Sequence, residues 1–226
     1  PSPGKFQHLA DIDSRDSSGA TTRIYGGVAC DLNRDGWSDL TVVNEVSADL
    51  RVFLNRADGS GLFQPMIEPP TPIPNESSPN EVADFDSDGF IDVVTSSADD
   101  DNIAIAFGNG DGTFDAPLVI AVGAYPRGFG ITDADGDGDM DITVTNANSS
   151  NVSFVRNLGA RSFAPPTFFD GGVAGEYGMT AADIEAVIAL DARITGRRRE
   201  RYLKPKLQDA LEKAGIRVSL VAEVGG

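Results

Sequence analysis

Short apolar runs rich in β-branched side chains recur along the chain, separated by clusters of Gly, Asn and Asp. One set is Leu40–Val43, Val93–Thr95 and Ile142–Thr145. A second apolar run follows each of these, at Leu50–Leu54, Ile103–Phe107 and Val152–Val155. Next comes a Gly/Asn/Asp turn leading into a Phe-x-x-Pro-like element, at Asn55 to Pro65, Asn109 to Pro117 and Asn157 to Pro165. A further short run, such as Gly128–Thr132, precedes the next cycle. Alternating apolar and polar positions joined by tight turns predict antiparallel meanders. The pattern therefore predicts four short strands per period of about 50 residues. A four-stranded sheet repeated at this period is the mark of a β-propeller, because one blade cannot bury both its faces without neighbours. A β-solenoid or a sandwich is the alternative architecture.

Each strand pair is preceded by an acidic loop. DLNRDGWSDL starts at Asp31, DFDSDGFIDV at Asp84 and DADGDGDMDI at Asp133. In all three, oxygen-bearing side chains stand at positions 1, 3, 5 and 9, with Gly at position 6. A loop curled around a point brings such alternating side chains together, and the Gly permits the sharp turn. Hard, charged oxygen donors suit Ca²⁺, which takes six to eight ligands at about 2.3–2.6 Å. Softer metals would call for His or Cys. Loop one offers Asp31, Asn33, Asp35, the carbonyl of Trp37, and Asp39. Loop two offers Asp84, Asp86, Asp88, the carbonyl of Phe90, and Asp92. Loop three offers Asp133, Asp135, Asp137, the carbonyl of Asp139, and Asp141. About three Ca²⁺ sites are expected, with loop one the weakest because it has three carboxylates where the others have four. The EF-hand reading fails: position 12, where a bidentate Glu is needed, is Val42, Thr95 or Val144, inside a predicted strand.

These residues resemble the FG-GAP/VCBS repeat family, the calcium-binding repeats of integrin α-subunit propellers and of many bacterial surface proteins. The resemblance runs from residue 23 to 184. It rests on the Asp-x-Asp-x-Asp-Gly-x-x-Asp loop and on the GNGDGTF turn from Gly108 to Phe114. It implies a seven-bladed propeller when complete, with Ca²⁺ in loops between strands. It implies an extracellular, cell-surface or periplasmic setting, with adhesion, carbohydrate or protein binding, or a scaffold role beside a catalytic domain. A fungal lectin group and some polysaccharide lyases use the same repeats, and fold alone does not choose among these functions.

Composition sharpens this picture. Of 35 acidic residues, 26 are Asp, and formal net charge is −17. Asp favours turns and caps over helix, and 11 of the acids stand at positions 1, 3, 5 and 9 of the three loops. Three bound Ca²⁺ would bring the net charge to about −11. Nothing supplies a positive face for phosphates, so nucleic acid is excluded as the main partner. At 40% hydrophobic residues the chain is too apolar for a disordered acidic tail. No run approaches the roughly 20 apolar residues of a membrane span. Pro1 stands where Met would open a primary product, consistent with a removed leader. Cys30 is alone, excludes an internal disulfide, and is expected to be a small buried hydrophobe.

The ends depart from the repeat. Pro3–Phe6 looks like the turn element of a preceding repeat. A fourth repeat begins at Gly175–Asp183 and then loses the ligand pattern, with Val187 and Ile188 where Asp and Gly are needed. We therefore expect an incomplete propeller over 1–184, whose missing partners would be further blades of a longer chain or of an oligomer. Residues 185–226 carry net +3 against −20 before them. Pro205, then a run with Leu207, Ala210, Leu211 and Ala214 on one face, then Gly215, predicts a helix followed by a strand at Ile216–Ala222. The tail thus has α/β grammar; a native appendage, a fusion and a frame-shifted reading all remain open for it.

No catalytic constellation is evident. His8 is the only histidine and is expected on an outer strand, away from any nucleophile. Asp99–Asp101 reads as a solvated turn. Asn75, Asn148 and Asn151 sit in Asn-x-Ser patterns that matter only in a secretory host. Trp37 and Phe90 are expected in blade packing, with sugar stacking as the alternative. The function expected is a non-catalytic, calcium-binding module for a protein or glycan ligand. The alternatives are part of a polysaccharide-active enzyme and a purely structural spacer.

Overall fold

The computed structural model describes residues 8–15, 19 and 22–170. Twelve strands form three four-stranded antiparallel sheets, each a meander in chain order. The first sheet holds β1 (Ile24–Cys30), β2 (Asp39–Asn44), β3 (Asp49–Phe53) and β4 (Thr71–Pro72). The second holds β5 (Ser77–Ala83), β6 (Asp92–Ser97), β7 (Asn102–Ala106) and β8 (Leu118–Ala121). The third holds β9 (Pro126–Thr132), β10 (Asp141–Asn146), β11 (Asn151–Val155) and β12 (Thr167–Asp170). The described residues contain no helix. This is the all-β, blade-by-blade architecture that the periodicity predicts. The expected tail helix and strand, the fourth repeat start and the Pro3–Phe6 element lie outside the described residues.

The middle strands show why blades need neighbours. Residues of β3 and β6 are buried along their whole length, so the two-residue alternation of a one-sided sheet is lost there. Successive side chains of a strand point to opposite faces. On β6, Val93 packs with Val43, Leu50 and Ile73 of the first blade. Its neighbour Val94 joins Phe129, Ile142, Val144 and Val155 of the third, together with Phe85, Ile103, Ile105 and Phe107. Two cores thus flank the second blade. In contrast, β1 and β8 alternate between half-buried and exposed positions.

Each third strand runs into a turn closed by a single bridge: Asn55 to Phe63, Gly108 to Phe114, and Asn157 to Phe163. The Phe of the predicted Phe-x-x-Pro element is therefore the residue that brings the chain back. β4 is only two residues long. Pro72 is one of the two, Pro69, Pro70 and Pro74 flank it, and proline cannot donate to a ladder. His8 corrects one expectation. It lies in no strand; its ring is 3.0 Å from Asp11 Oδ1 in an exposed segment. Cys30 ends β1 half-buried, with burial first and then the Asp39 and Asp31 charges pushing its thiol up to about 11.

Candidate metal centre

The three acidic loops connect the first strand of each blade to the second, and their backbones repeat closely. The position-6 glycines Gly36, Gly89 and Gly138 have φ of 84°, 88° and 99°, a region that costs an L residue its Cβ clearance. Position 4 is also left-handed, at Arg34 (58°), Ser87 (59°) and Gly136 (78°).

The carboxylates divide into distinct roles. Position 1 closes the loop: Asp31 accepts from the Gly36 amide at 2.9 Å, Asp84 from Gly89 at 2.8 Å, and Asp133 from Gly138 at 3.1 Å. Position 5 accepts from the amide two residues on, at Trp37, Phe90 and Asp139, over 2.8–2.9 Å. Position 9 is fully buried at Asp39, Asp92 and Asp141. One oxygen of each accepts from the position-2 amide of Leu32, Phe85 or Ala134, at 2.7–3.0 Å. The other accepts from the amide at the end of the third strand, Asn55, Gly108 or Asn157, each at 2.8 Å. This last Asp ties loop, second strand and closing turn together. The spacing suggested a ligand there, and the structural tie could have been read only from its place at the start of an apolar strand.

Two of the loops gather carboxylates that could share a cation. In loop two, Asp84, Asp86 and Asp88 each place an oxygen within 4.8 Å of the others; in loop three, Asp133, Asp135 and Asp141 do so. Asp84 Oδ1 is buried with no hydrogen-bond partner, a condition that a native structure rarely leaves uncompensated. An all-oxygen donor set with an orphaned carboxylate oxygen fits a hard divalent cation. Asp92 and Asp137 fall outside those triads. In loop one, Asn33 Nδ2 donates to Asp35 Oδ2 at 3.0 Å, and Asp31 is taken up by the amides of Asp35 and Gly36. Loop one contributes no triad among the described residues, in keeping with its lower carboxylate count. Clustering also acts on the buried Asp92, whose carboxyl is pushed up to about 7, first by burial and further by the Asp86 and Asp88 charges. Asp141 moves upward for the same reasons, with Asp135 and Asp137 as its neighbours.

Arginines lie between the loops, and sequence spacing did not reveal them. Arg34 of loop one donates to the Gly89 carbonyl of loop two and lies over the Phe90 ring at 4.5 Å. Ser87 of loop two is 3.4 Å from Asp139 of loop three. Arg161, from the closing turn of the third blade, reaches Asp86 at 2.6 Å and Asp115 at 2.6 Å. Trp37 is 40% exposed rather than packed in a blade, and Phe90 is half-buried beneath Arg34. Asp99–Asp101 forms the expected exposed turn, with Asp101 accepting from the Tyr125 amide at 2.8 Å.

The profile of the FG-GAP-like repeat matches residues 31–95 and again 84–144. Comparison with curated proteins gives no significant match. Among solved structures, the chain is similar to an Agrocybe aegerita lectin described as recognising non-reducing terminal N-acetylglucosamine. That likeness has 23% identity and a TM-score of 0.47, covering 66% of this chain and 38% of the lectin. It is also similar to the Tc holotoxin pore of Photorhabdus luminescens, with 22% identity and a TM-score of 0.41, covering 66% of this chain and 7% of the toxin chain. The chain thus spans less than two thirds of the length of either. The two profile matches run through all three acidic loops and over half of the sequence, so the chain belongs to the FG-GAP-like repeat family.

Proposed function

We propose that this chain is a calcium-stabilised, non-catalytic binding module of β-propeller type, acting outside the cytoplasm on a protein or glycan ligand. The observation that carries the metal reading is the carboxylate triad of loop two with its buried, unpartnered Asp84 Oδ1. Asp84, Asp86 and Asp88 would hold the ion there, and Asp133, Asp135 and Asp141 in loop three. Loop one, with Asp31, Asn33, Asp35 and Asp39, would be the weaker third site. A bound cation would supply charge neutralisation where carboxylates otherwise repel one another. The chain's own residues do the rest: Asp39, Asp92 and Asp141 tie the loops to their strands through backbone amides.

Calcium titration of the full chain by calorimetry tests this reading. Heat is expected from about three sites, with Asp86→Ala and Asp135→Ala each removing one. A chain that takes up no Ca²⁺ would overturn it. The ligand class has a separate test, a glycan array read with and without chelator. Chelator-sensitive binding supports a glycan partner, whereas turnover of an acidic polysaccharide would contradict the non-catalytic reading.

A further inference from the structure

Loop two holds four carboxylates at positions 1, 3, 5 and 9, as loop three does, yet it also holds a cation of the protein's own. Arg161 Nε lies 2.6 Å from Asp86 Oδ2, one terminal nitrogen lies 2.6 Å from Asp115 Oδ2, and the other is 3.9 Å from Asp88 Oδ2. The Asp86 side chain is only 6% exposed, and Arg161 itself is 38% exposed. The guanidinium is held independently of loop two, by Asp115 and by stacking at 4.4 Å over Phe107. It therefore stays near the loop when Asp86 turns to another partner. Asp84 Oδ1 remains without a partner despite Arg161, so the guanidinium only partly satisfies the cluster.

Its position in the repeat supports a specific role. Counting back from the bridging Phe163 and Phe114, Arg161 occupies the place of Gly112. Gly112 has φ of 87°, and Arg161 keeps the left-handed conformation at 61°, which is unfavourable for a residue with a Cβ. The third blade thus places a long cation in a conformation suited to glycine, aimed at the metal loop of the second. Among the described residues, loop three has nothing equivalent. Its Arg156 stands 3.6 Å from Asp135 with half its side chain exposed, where water screens the charge.

We propose that Arg161 is a built-in competitor for loop two: it occupies Asp86 and Asp88 in the metal-free chain and selectively weakens divalent-cation binding there. The proposal rests on the calcium reading above. In the metal-free chain the guanidinium offsets the repulsion among Asp84, Asp86 and Asp88, and so holds the interface between the second and third blades. When Ca²⁺ enters, Asp86 must leave Arg161, and the retained guanidinium repels the ion. By charge count loop two then falls to the level of loop one, and loop three becomes the strongest site.

The test is a CaCl₂ titration of the full chain followed by NMR, with the Gly89 amide reporting loop two and the Gly138 amide reporting loop three. In the unaltered chain loop two is expected to bind more weakly than loop three. Arg161→Gln should tighten loop two by about tenfold and leave loop three unchanged, while Arg161→Lys, which keeps the charge, should stay near the original affinity. Equal or weaker binding at loop two in Arg161→Gln, with loop three still binding, would overturn the proposal. If Arg161→Gln does not fold, the ranking in the unaltered chain decides, and loop two equal to or tighter than loop three counts against it. Absence of any Ca²⁺ response at both amides would instead defeat the calcium reading itself.

Discussion

Carboxylates that look alike in the repeat do different work. Asp92 accepts two backbone amides while fully buried. Replacing it by Ala leaves two buried donors unmatched, each worth about 1–3 kcal/mol. Asp92→Ala is therefore expected to destabilise the chain by about 2–6 kcal/mol in urea unfolding even in chelator. Asp88 is exposed and accepts one local amide, so Asp88→Ala in chelator should cost under about 1 kcal/mol and show its larger effect only when Ca²⁺ is present. Titration of Asp92 has a definite sign. Its folded carboxyl holds a proton up to about 7, against 3.8 as the ordinary value. Between these pH values the folded chain binds more protons than the unfolded one, so stability in chelator falls as pH rises through that window. Urea midpoints at pH 5 and pH 7.5 in chelator should show that fall, and Ca²⁺ should lessen it by offsetting the Asp86 and Asp88 charges. Asp141 shifts in the same direction and adds to the trend.

Among elements, the strands and loops were legible where local pattern and tertiary need agreed. Leu40–Val43, Val93–Thr95 and Ile142–Thr145 lie in β2, β6 and β10, because β-branched runs after a tight loop suit a doubly buried strand. His8 was misplaced because one apolar neighbour, Leu9, does not make a strand. Arg161 was invisible for a different reason: its partner Asp86 is 75 residues away, and no spacing rule connects two blades. A cue existed in hindsight, namely an arginine where the repeat has glycine. Glycines themselves provide a test. Gly112 and Gly136 both have positive φ, at 87° and 78°. A Cβ at Gly112 would lie 2.7 Å from Ile67 and 2.9 Å from Leu54, whereas one at Gly136 meets nothing within 4 Å. Gly136→Ala should therefore cost about 1 kcal/mol, from backbone strain alone. Gly112→Ala should cost clearly more in the same denaturation experiment.

At the scale of the whole described region, blades support one another through β6. Ile105 is fully buried between the second and third blades, and Ile105→Ala is expected to lower stability by about 2–5 kcal/mol. The carboxylate clusters lie in the loops of the same blades, and the loops touch through Arg34 with Gly89, Ser87 with Asp139, and Arg161 with Asp86. On this account the repeated Asp excess is a repeated means of joining strand to strand and blade to blade, and the cation completes it. The thermal unfolding midpoint of the full chain in CaCl₂ against chelator tests that claim most directly. The account predicts a midpoint that climbs with CaCl₂ concentration, each saturating site adding about 2.7 kcal/mol at a hundredfold excess over its Kd. An identical midpoint in CaCl₂ and in chelator would contradict it.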